Sequence, residues 1–220
     1  MSYQLNNNIA TISIDDGKVN AVNMAFIDQL YRHLDTAERE ASAVILTGRP
    51  GMFSAGFDLK ALKASQASAD ELVHRGMEML VRMYEFPLPL ISACAGHAIG
   101  IGAFLLLVSD NRVGSAGDYQ VTLPETAIGM PFTPVLMQLL KERVSSQCLT
   151  TAALQSVPHS PEQAVDAGFL DAVVEIEQLT PQVEALAEKL MALPKERYSA
   201  NKRDIRADAL RAMKASLAKG

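Results

Sequence analysis

The sequence predicts an α/β fold, in which strands and helices alternate along the chain and pack in layers. Short apolar runs alternate with segments whose apolar residues recur every three or four positions. The 220 residues are 49% apolar and 20% charged, a balance typical of a folded domain with a large core. No stretch has the composition of a flexible linker. We therefore expect one domain, with residues 1–194 as its core and 195–220 as a C-terminal helical segment.

The first predicted elements are a strand, a helix and a second strand. Residues 9–14 alternate between apolar and polar side chains, which predicts a strand. Apolar residues at helical spacing predict a helix over 24–41, and Asn23 is placed to cap it. The continuous apolar run 43–47 predicts a buried strand.

The next predicted helix and strand occupy the middle of the chain. Ser68 with Glu71 three residues later forms a capping-box pattern, which predicts a helix start, and Pro87 ends that helix. Residues 88–95 are predicted to form another buried strand. Residues 96–102 are then predicted to turn directly into a short helix.

The stretch 86–109 carries no formal charge and is long enough to span a membrane. Five helix-breaking residues interrupt it: Pro87, Pro89, Gly96, Gly100 and Gly102. We therefore expect a buried strand, a turn and a helix there, and no membrane span.

The last third of the chain contains short strands and several helices. Strands are predicted near 111–114, 119–122 and 170–174, and Gly168 is placed to end a helix. Three helix starts share a hydroxyl residue followed by proline: Thr133-Pro134, Ser160-Pro161 and Thr180-Pro181. From about Lys195 the chain is predicted to be helical, with its basic residues on a solvated face.

Composition and missing motifs exclude several classes of function. The formal net charge is −5 and no basic stripe is present, which disfavours nucleic-acid binding. Cys94 and Cys148 lack CxxC spacing and the histidines are scattered, so neither a disulfide framework nor a metal site is expected. Ala98 occupies the serine position of a GxxxG nucleophile elbow, which disfavours a serine hydrolase. The polar N-terminus has no signal-peptide pattern, so a cytoplasmic location is expected.

Two glycine-containing turns, 53–60 and 96–103, each follow a predicted strand and lead toward a helix. Glycine lets the backbone approach a ligand and frees its N–H groups, and a helix N-terminus adds partial positive charge. Two N–H groups that converge on one point form an oxyanion hole. From spacing alone, plain strand-to-helix turns are the simpler interpretation.

Glu125 is the carboxylate in the otherwise uncharged segment 121–140. It is either exposed on a turn or buried with a raised pKa. The pattern alone favours exposure, whereas a buried carboxyl would suit a general base near neutral pH.

In their order and spacing, these segments resemble the crotonase (enoyl-CoA hydratase/isomerase) superfamily. The two turns resemble its oxyanion segments, and Pro124-Glu125 its acid/base segment. Residues 17–23 (GKVNAVN) resemble its N-terminal acyl-CoA loop, and Asn201-Lys202-Arg203 resembles its late lysine motif. The resemblance covers almost the whole chain. It implies a spiral core of ββα repeats with C-terminal helices, assembled as a homotrimer or dimer of trimers.

The resemblance also implies an acyl-CoA thioester as substrate, with coenzyme A entering as part of it and no other cofactor or metal. The backbone N–H groups of Phe57 and Ile101 would hold the enolate oxygen, and Glu125 would move the proton. Ile101 is a departure, because glycine commonly stands there. The residues then expected to bind substrate are Lys18, Val19, Ala21, Ala55, Gly56, Asp58, Leu59, Gly100, Gly102, Phe104 and Pro124.

The resemblance distinguishes two reactions by their acid/base groups. Hydratases of the superfamily hold water with two glutamates, and the second position falls at Phe104. As a pocket wall, Phe104 would exclude water, but it has no group to activate water. One carboxylate suffices to take a proton from C2 and return it to C4, as in Δ3,Δ2-enoyl-CoA isomerases. We therefore expect an isomerase of that type.

Three alternatives remain open at this stage. A hydratase requires that Asp58 or another acid enter the pocket, although Asp58 more simply caps the next helix. A non-catalytic acyl-CoA-binding subunit requires that Ile101 block the oxyanion hole. A thioester hydrolase or decarboxylase is a more distant alternative.

Asp110 is expected to end its helix and to pair with Arg112 or a backbone group.

Overall fold

The structure is a computed structural model that describes residues 1–218, and it confirms the predicted α/β fold. The strands are β1 (Ser2–Asn6), β2 (Ile9–Ser13), β3 (Ala43–Thr47), β4 (Gly51–Ser54), β5 (Leu90–Cys94), β6 (Gly96–Ile99), β7 (Asn111–Ser115), β8 (Val121–Thr122) and β9 (Ala172–Val174). The helices are α1 (Met24–Glu40), α2 (Leu59–Ala64), α3 (Gln66–Tyr84), α4 (Ile101–Leu107), α5 (Pro134–Arg143), α6 (Pro161–Ala167), α7 (Ile176–Met191), α8 (Lys195–Ile205) and α9 (Ala207–Leu217). A π-helical turn covers Thr150–Leu154.

Two sheets organise the chain. The larger has the strand order β1-β2-β3-β5-β7-β9, and the smaller has the order β4-β6-β8. The β1–β2 pair is an antiparallel hairpin, and the other pairs are parallel. The chain therefore repeatedly adds one strand to the larger sheet and the next strand to the smaller one. This is the predicted spiral of ββα repeats.

The larger sheet is apolar on both faces, which explains why β3 is a continuous apolar run. Val44 and Leu46 point into the main core, which includes buried residues of α1, α3 and α4. Ile45 points to the opposite face, where Leu179 and Val183 of α7 cover the sheet. Among residues 1–218, no helix is both long and apolar enough to cross a bilayer.

Strand β6 corrects the prediction for residues 96–102. We expected a turn there, but Gly96–Ile99 forms a strand that pairs with β4 and β8, so the turn is confined to Gly100. The close approach of β4 to β6 requires glycine at Gly96. A Cβ there would lie 2.0 Å from Gly51 C and Met52 N.

Two predicted helix starts are wrong. Helix α3 begins at Gln66, and its cap is Ser65, whose hydroxyl accepts a hydrogen bond from Ser68 N at 3.1 Å. The preceding helix α2 leaves Ser65 as the extended residue between the two helices. Helix α7 begins at Ile176, with Pro181 inside it. The free energy gained by burying its apolar face against the larger sheet outweighs the loss of the hydrogen bond that Pro181 cannot donate.

The caps predicted at Asn23, Thr133 and Ser160 are confirmed. Each side chain accepts a hydrogen bond from a backbone N–H in the first turn of its helix. Gly168 ends α6 with φ +87°, as its position predicted.

Of the two partners expected for Asp110, the structure confirms a backbone group, Leu90 N, and not Arg112. The Asp110 carboxylate accepts hydrogen bonds from Leu90 N (2.9 Å), Tyr198 Oη (3.0 Å), Lys202 Nζ (2.7 Å) and Arg206 Nη2 (2.8 Å). We call Asp110, Tyr198, Lys202 and Arg206 the Asp110 cluster. Lys202 and Arg206 are therefore buried, although the basic C-terminal segment was expected to be a solvated face. The reason is that Asp110 supplies the charge that a buried cation needs.

Arg112 instead pairs with Asp171, which follows α6. The Asp171 carboxylate also accepts a hydrogen bond from Arg112 N at 2.7 Å. This pair joins the start of β7 to the chain that leads into β9.

The Asp110 cluster predicts a stability effect. Asp110→Asn leaves two buried cations without a carboxylate, so the free energy of unfolding should fall by about 3 kcal/mol or more. Asp208→Asn is the matched control, because Asp208 forms an exposed pair with Arg211 and should change stability by less than about 1 kcal/mol. Urea unfolding measures both. Equal small losses in the two variants would contradict the assigned role of the cluster.

Candidate active site

A cavity of about 1270 Å³ lies where the two glycine-containing turns meet. Its lining comes from the turn after β4, from α2 and from α3. Gly100 and Ile101, the segment after β8, the start of α5 and the end of α9 complete it. The apolar side chains of this lining include Leu62, Val73, Met77, Val135, Leu136 and Leu217.

Glu125 is directed into this cavity by the turn that follows β8. Ile128 N donates to Pro124 O (3.0 Å), and Met130 N donates to Glu125 O (2.8 Å). Thr126 Oγ1 anchors the turn on Ala153 O at 2.8 Å. These bonds fix the backbone so that the carboxyl points inward.

The Glu125 carboxyl is buried, with 7% of the residue exposed, although pattern alone favoured exposure. Its Oε2 has no hydrogen-bond partner among residues 1–218. Its Oε1 lies 3.2 Å from the position that a Cβ on Gly100 would occupy. Because burial disfavours the charged form, the pKa of Glu125 rises to about 7.

The backbone N–H groups of Phe57 and Ile101 are both free to donate a hydrogen bond to a ligand. Val22 N donates to Gly56 O and Asp58 N donates to Val22 O, so this parallel bridge leaves Phe57 N–H facing away from Val22. Ile101 is the first residue of α4, where N–H groups have no partner within the helix. Neither amide has an acceptor in the part of the chain that the structure describes.

Gly56 brings these two amides together. It has φ +92°, a backbone conformation that glycine adopts without strain. A Cβ at Gly56 would lie 2.9 Å from Ile99 O and 3.9 Å from Ile101 N. The two turns therefore touch backbone to backbone, and a side chain at this position would push them apart.

Asn20 supports the first turn, a role that the sequence analysis missed. Its buried Nδ2 donates to Ile14 O (2.9 Å) and to the carbonyls of Met52 and Phe53 (both 3.2 Å). The same loop bonds to the turn directly, because Ala55 N donates to Val19 O at 2.9 Å. Asn20 has a φ of +55°, which marks an unusual backbone position. This angle cannot be read from a sequence, so the sequence held no signal for the role of Asn20.

The predicted site residues divide into two groups. Those that line the cavity are Ala55, Gly56, Phe57, Leu59, Gly100, Ile101, Pro124 and Glu125. Those that do not are Lys18, Val19, Ala21, Asp58, Gly102 and Phe104. Lys18 and Val19 are exposed on the loop that precedes α1. Ala21 lies on the same loop, which supports the first turn through backbone bonds.

The three residues nearest the turns have structural positions instead. The Asp58 carboxylate caps α2, accepting hydrogen bonds from Lys60 N (2.8 Å) and Ala61 N (3.3 Å). Gly102 permits close packing, because a Cβ there would lie 2.4 Å from Ser54 O. Phe104 is fully buried and packs edge-on against Phe132, so it is not the pocket wall that we expected.

Helix α3 supplies cavity residues that the sequence analysis did not assign to the site. Met77 lines the cavity and is held by Thr133, whose hydroxyl donates to Met77 Sδ at 2.9 Å. Helical periodicity predicted that this face is buried, but it does not distinguish a core from a cavity. Asp70 and Glu71 are exposed residues of the same lining. Within the described residues no group of three or more His, Cys, Asp or Glu is placed to hold a metal ion.

Comparisons with known proteins agree on one family. The family model described as enoyl-CoA hydratase/isomerase matches residues 4–219. An enoyl-CoA hydratase/isomerase family protein from Pseudomonas syringae is 36% identical, with a TM-score of 0.96 over 99% of this chain and 95% of that chain. A Mycobacterium tuberculosis protein is 36% identical, with a TM-score of 0.93 over 98% of this chain and 95% of that chain, and it is called an enoyl-CoA isomerase in one structure and a probable enoyl-CoA hydratase in another. A probable enoyl-CoA hydratase from Bacillus subtilis is 28% identical over 82% of this chain and 72% of the relative.

The buried carboxyl predicts a pH-dependent effect of Glu125→Gln on stability. The unfolded chain ionises this carboxyl near its ordinary pKa of 4.5, whereas the folded chain keeps the proton until about pH 7. Its contribution to stability is therefore present below pH 4.5 and is lost as the pH rises through 7. Glutamine does not ionise, so the variant should gain about 2–3 kcal/mol relative to wild type between pH 5 and pH 8.

Urea unfolding at both pH values measures this gain. Glu184→Gln, on the exposed surface of α7, is the control and should show no such change. A difference between wild type and Glu125→Gln that does not depend on pH would contradict the raised pKa.

Proposed function

We propose an isomerase activity for this chain, which belongs to the enoyl-CoA hydratase/isomerase family. The family makes it an acyl-CoA enzyme of the hydratase/isomerase type. The proposal concerns which reaction it catalyses: conversion of a 3-enoyl-CoA to the trans-2-enoyl-CoA.

One observation carries the proposal: the buried, unpaired carboxyl of Glu125 opens into the same cavity as the free amides of Phe57 and Ile101. A base with a pKa of about 7 is half ionised at neutral pH. It can therefore both accept a proton and give it back. The amides supply hydrogen bonds where negative charge develops on the thioester oxygen.

The proposed reaction proceeds through a dienolate. The thioester oxygen accepts hydrogen bonds from Phe57 N–H and Ile101 N–H. The Glu125 carboxylate removes a proton from C2, and the electron pair of that C–H bond moves toward the thioester oxygen. The electrons then move back from the oxygen, so that the thioester C=O is restored and the C2=C3 double bond forms. The electron pair of the C3=C4 bond takes the proton from Glu125 at C4. The carboxylate is regenerated, and no cofactor other than the substrate's coenzyme A takes part.

The placement of the other carboxyl groups supports isomerisation over hydration. Adding water requires a second group that orients or activates it. The Asp58 carboxylate is committed to capping α2, and Phe104 has no acid/base group. Asp70 and Glu71 line the cavity on α3 but are exposed. Glu125 is thus the buried carboxyl of the lining within the described residues.

We expect wild type to convert a 3-enoyl-CoA, measured by the absorbance of the conjugated thioester. Glu125→Gln removes the base but keeps the shape of the side chain, so kcat should fall by about 10²–10⁴-fold. Glu184→Gln is the control and should retain full activity. The proposal fails if wild type hydrates 2-enoyl-CoA faster than it isomerises 3-enoyl-CoA. It also fails if wild type binds acyl-CoA without turnover, as a non-catalytic subunit would.

The pKa of Glu125 also predicts the pH dependence of the rate. Only the carboxylate form accepts the C2 proton, so kcat/KM should rise about tenfold per pH unit below pH 7 and level off above it. The residual activity of Glu125→Gln should not follow this curve. A rate that increases toward acidic pH would instead assign Glu125 as the initial acid.

A further inference from the structure

Gly76 is a buried glycine in the interior of α3, where the sequence gives no reason for it. A glycine inside a helix destabilises it by about 1 kcal/mol relative to alanine. Such a position calls for a packing explanation.

The packing around Gly76 involves both residues whose amides face the cavity. A Cβ at Gly76 would lie 2.5 Å from Cζ and 2.7 Å from Cε1 of the Phe57 ring. It would also lie 3.1 Å from Cδ1 of Ile101. The two side chains therefore converge on one spot of the α3 backbone, and the methyl group of an alanine would collide with the Phe57 ring and press tightly against Ile101 Cδ1.

This contact also gives the Ile101 side chain a packing partner, at a position where the crotonase superfamily commonly has glycine. The residue is 2% exposed, and the end of its side chain lies against α3 at Gly76. The two turns approach each other at their backbones through Gly56, and their side chains meet again at Gly76. Helix α3 therefore supports the two turns that carry these amides, in addition to their backbone contact at Gly56.

We infer that Gly76 is a positioning residue, whose missing side chain lets Phe57 and Ile101 pack on α3 and so fixes the spacing of their two N–H groups. The inference rests on the proposed function, because those amides are taken to bind the enolate oxygen. Such donors stabilise developing charge only when they are held at hydrogen-bond distance from the oxygen, and small displacements are costly.

Gly76→Ala tests the inference. The added methyl group should displace Phe57 and Ile101 and thereby misalign their amides. We expect kcat for isomerisation to fall by about 10–100-fold, with KM changed by less than about threefold, because the loss is in the transition state. If only KM rises, the Phe57 ring has merely swung into the cavity, and the inference is overturned.

Gly114→Ala is the matched control for overpacking. A Cβ at Gly114 would lie 2.6 Å from Leu170 Cδ1 and 2.8 Å from Tyr119 Oη, none of which lines the cavity. Thermal unfolding measures how far each variant is destabilised. The control should keep the kcat of wild type, and equal losses of kcat in Gly76→Ala and Gly114→Ala would overturn the inference.

A second substitution should restore the activity of Gly76→Ala. Phe57→Leu keeps the backbone amide and removes the ring atoms that the new methyl group would meet. The double variant should recover to within about threefold of the kcat of Phe57→Leu alone. An equally large loss caused by Gly76→Ala in both backgrounds would show that the ring contact does not position the amide.

Exchange of the C2 hydrogens of hexanoyl-CoA in D₂O, followed by NMR, separates this inference from the proposed reaction. Exchange needs the base and the two amides but no double bond to move. If wild type exchanges without isomerising and Gly76→Ala exchanges about 10–100-fold more slowly, the isomerase proposal fails and the inference stands. If wild type isomerises and Gly76→Ala does both at the wild-type rate, only the inference fails. Absence of both reactions in wild type overturns both.

Discussion

The direct backbone contact between the two turns is the constraint on which the candidate site depends. At Gly56 the first turn lies against Ile99 O and Ile101 N, with no room for a side chain between them. The close pairing of β4 and β6 at Gly96 makes this approach possible, because the strands that lead into the turns are already in contact. The site therefore depends on the absence of side chains at Gly56 and Gly96. The amides that face the ligand are backbone groups, which have no side-chain rotamers and are held in place by the fold.

The buried carboxyl groups of Asp110 and Glu125 have opposite surroundings. The Asp110 carboxylate accepts four hydrogen bonds, two of them from the cations Lys202 and Arg206. Glu125 receives none at Oε2, so burial disfavours its charged form, the carboxyl holds its proton more tightly, and its pKa rises to about 7. The first arrangement stabilises the fold, whereas the second costs more stability as the pH rises from about 4.5 to 7. A side chain that must change its protonation state has to be left without such partners.

Local patterns predicted most elements, since caps such as Asn23 and Thr133 and continuous apolar strands are decided by neighbouring residues. The prediction failed at Ser68 and Pro181, where an adjoining helix or a buried face outweighed the local signal. The main site residues were available only through resemblance, because pattern alone favoured an exposed Glu125. No one-dimensional pattern identifies Gly76, since its partners are distant in sequence.

The Asp110 cluster also constrains the order in which the molecule is assembled. Tyr198, Lys202 and Arg206 follow Asp110 by 88, 92 and 96 residues. During synthesis at about 5–20 residues per second, Asp110 therefore leaves the ribosome several seconds before its partners. Until they arrive, burying this carboxylate is unfavourable. We therefore expect the earlier repeats to close fully around Asp110 only after α8 and Arg206 have been translated.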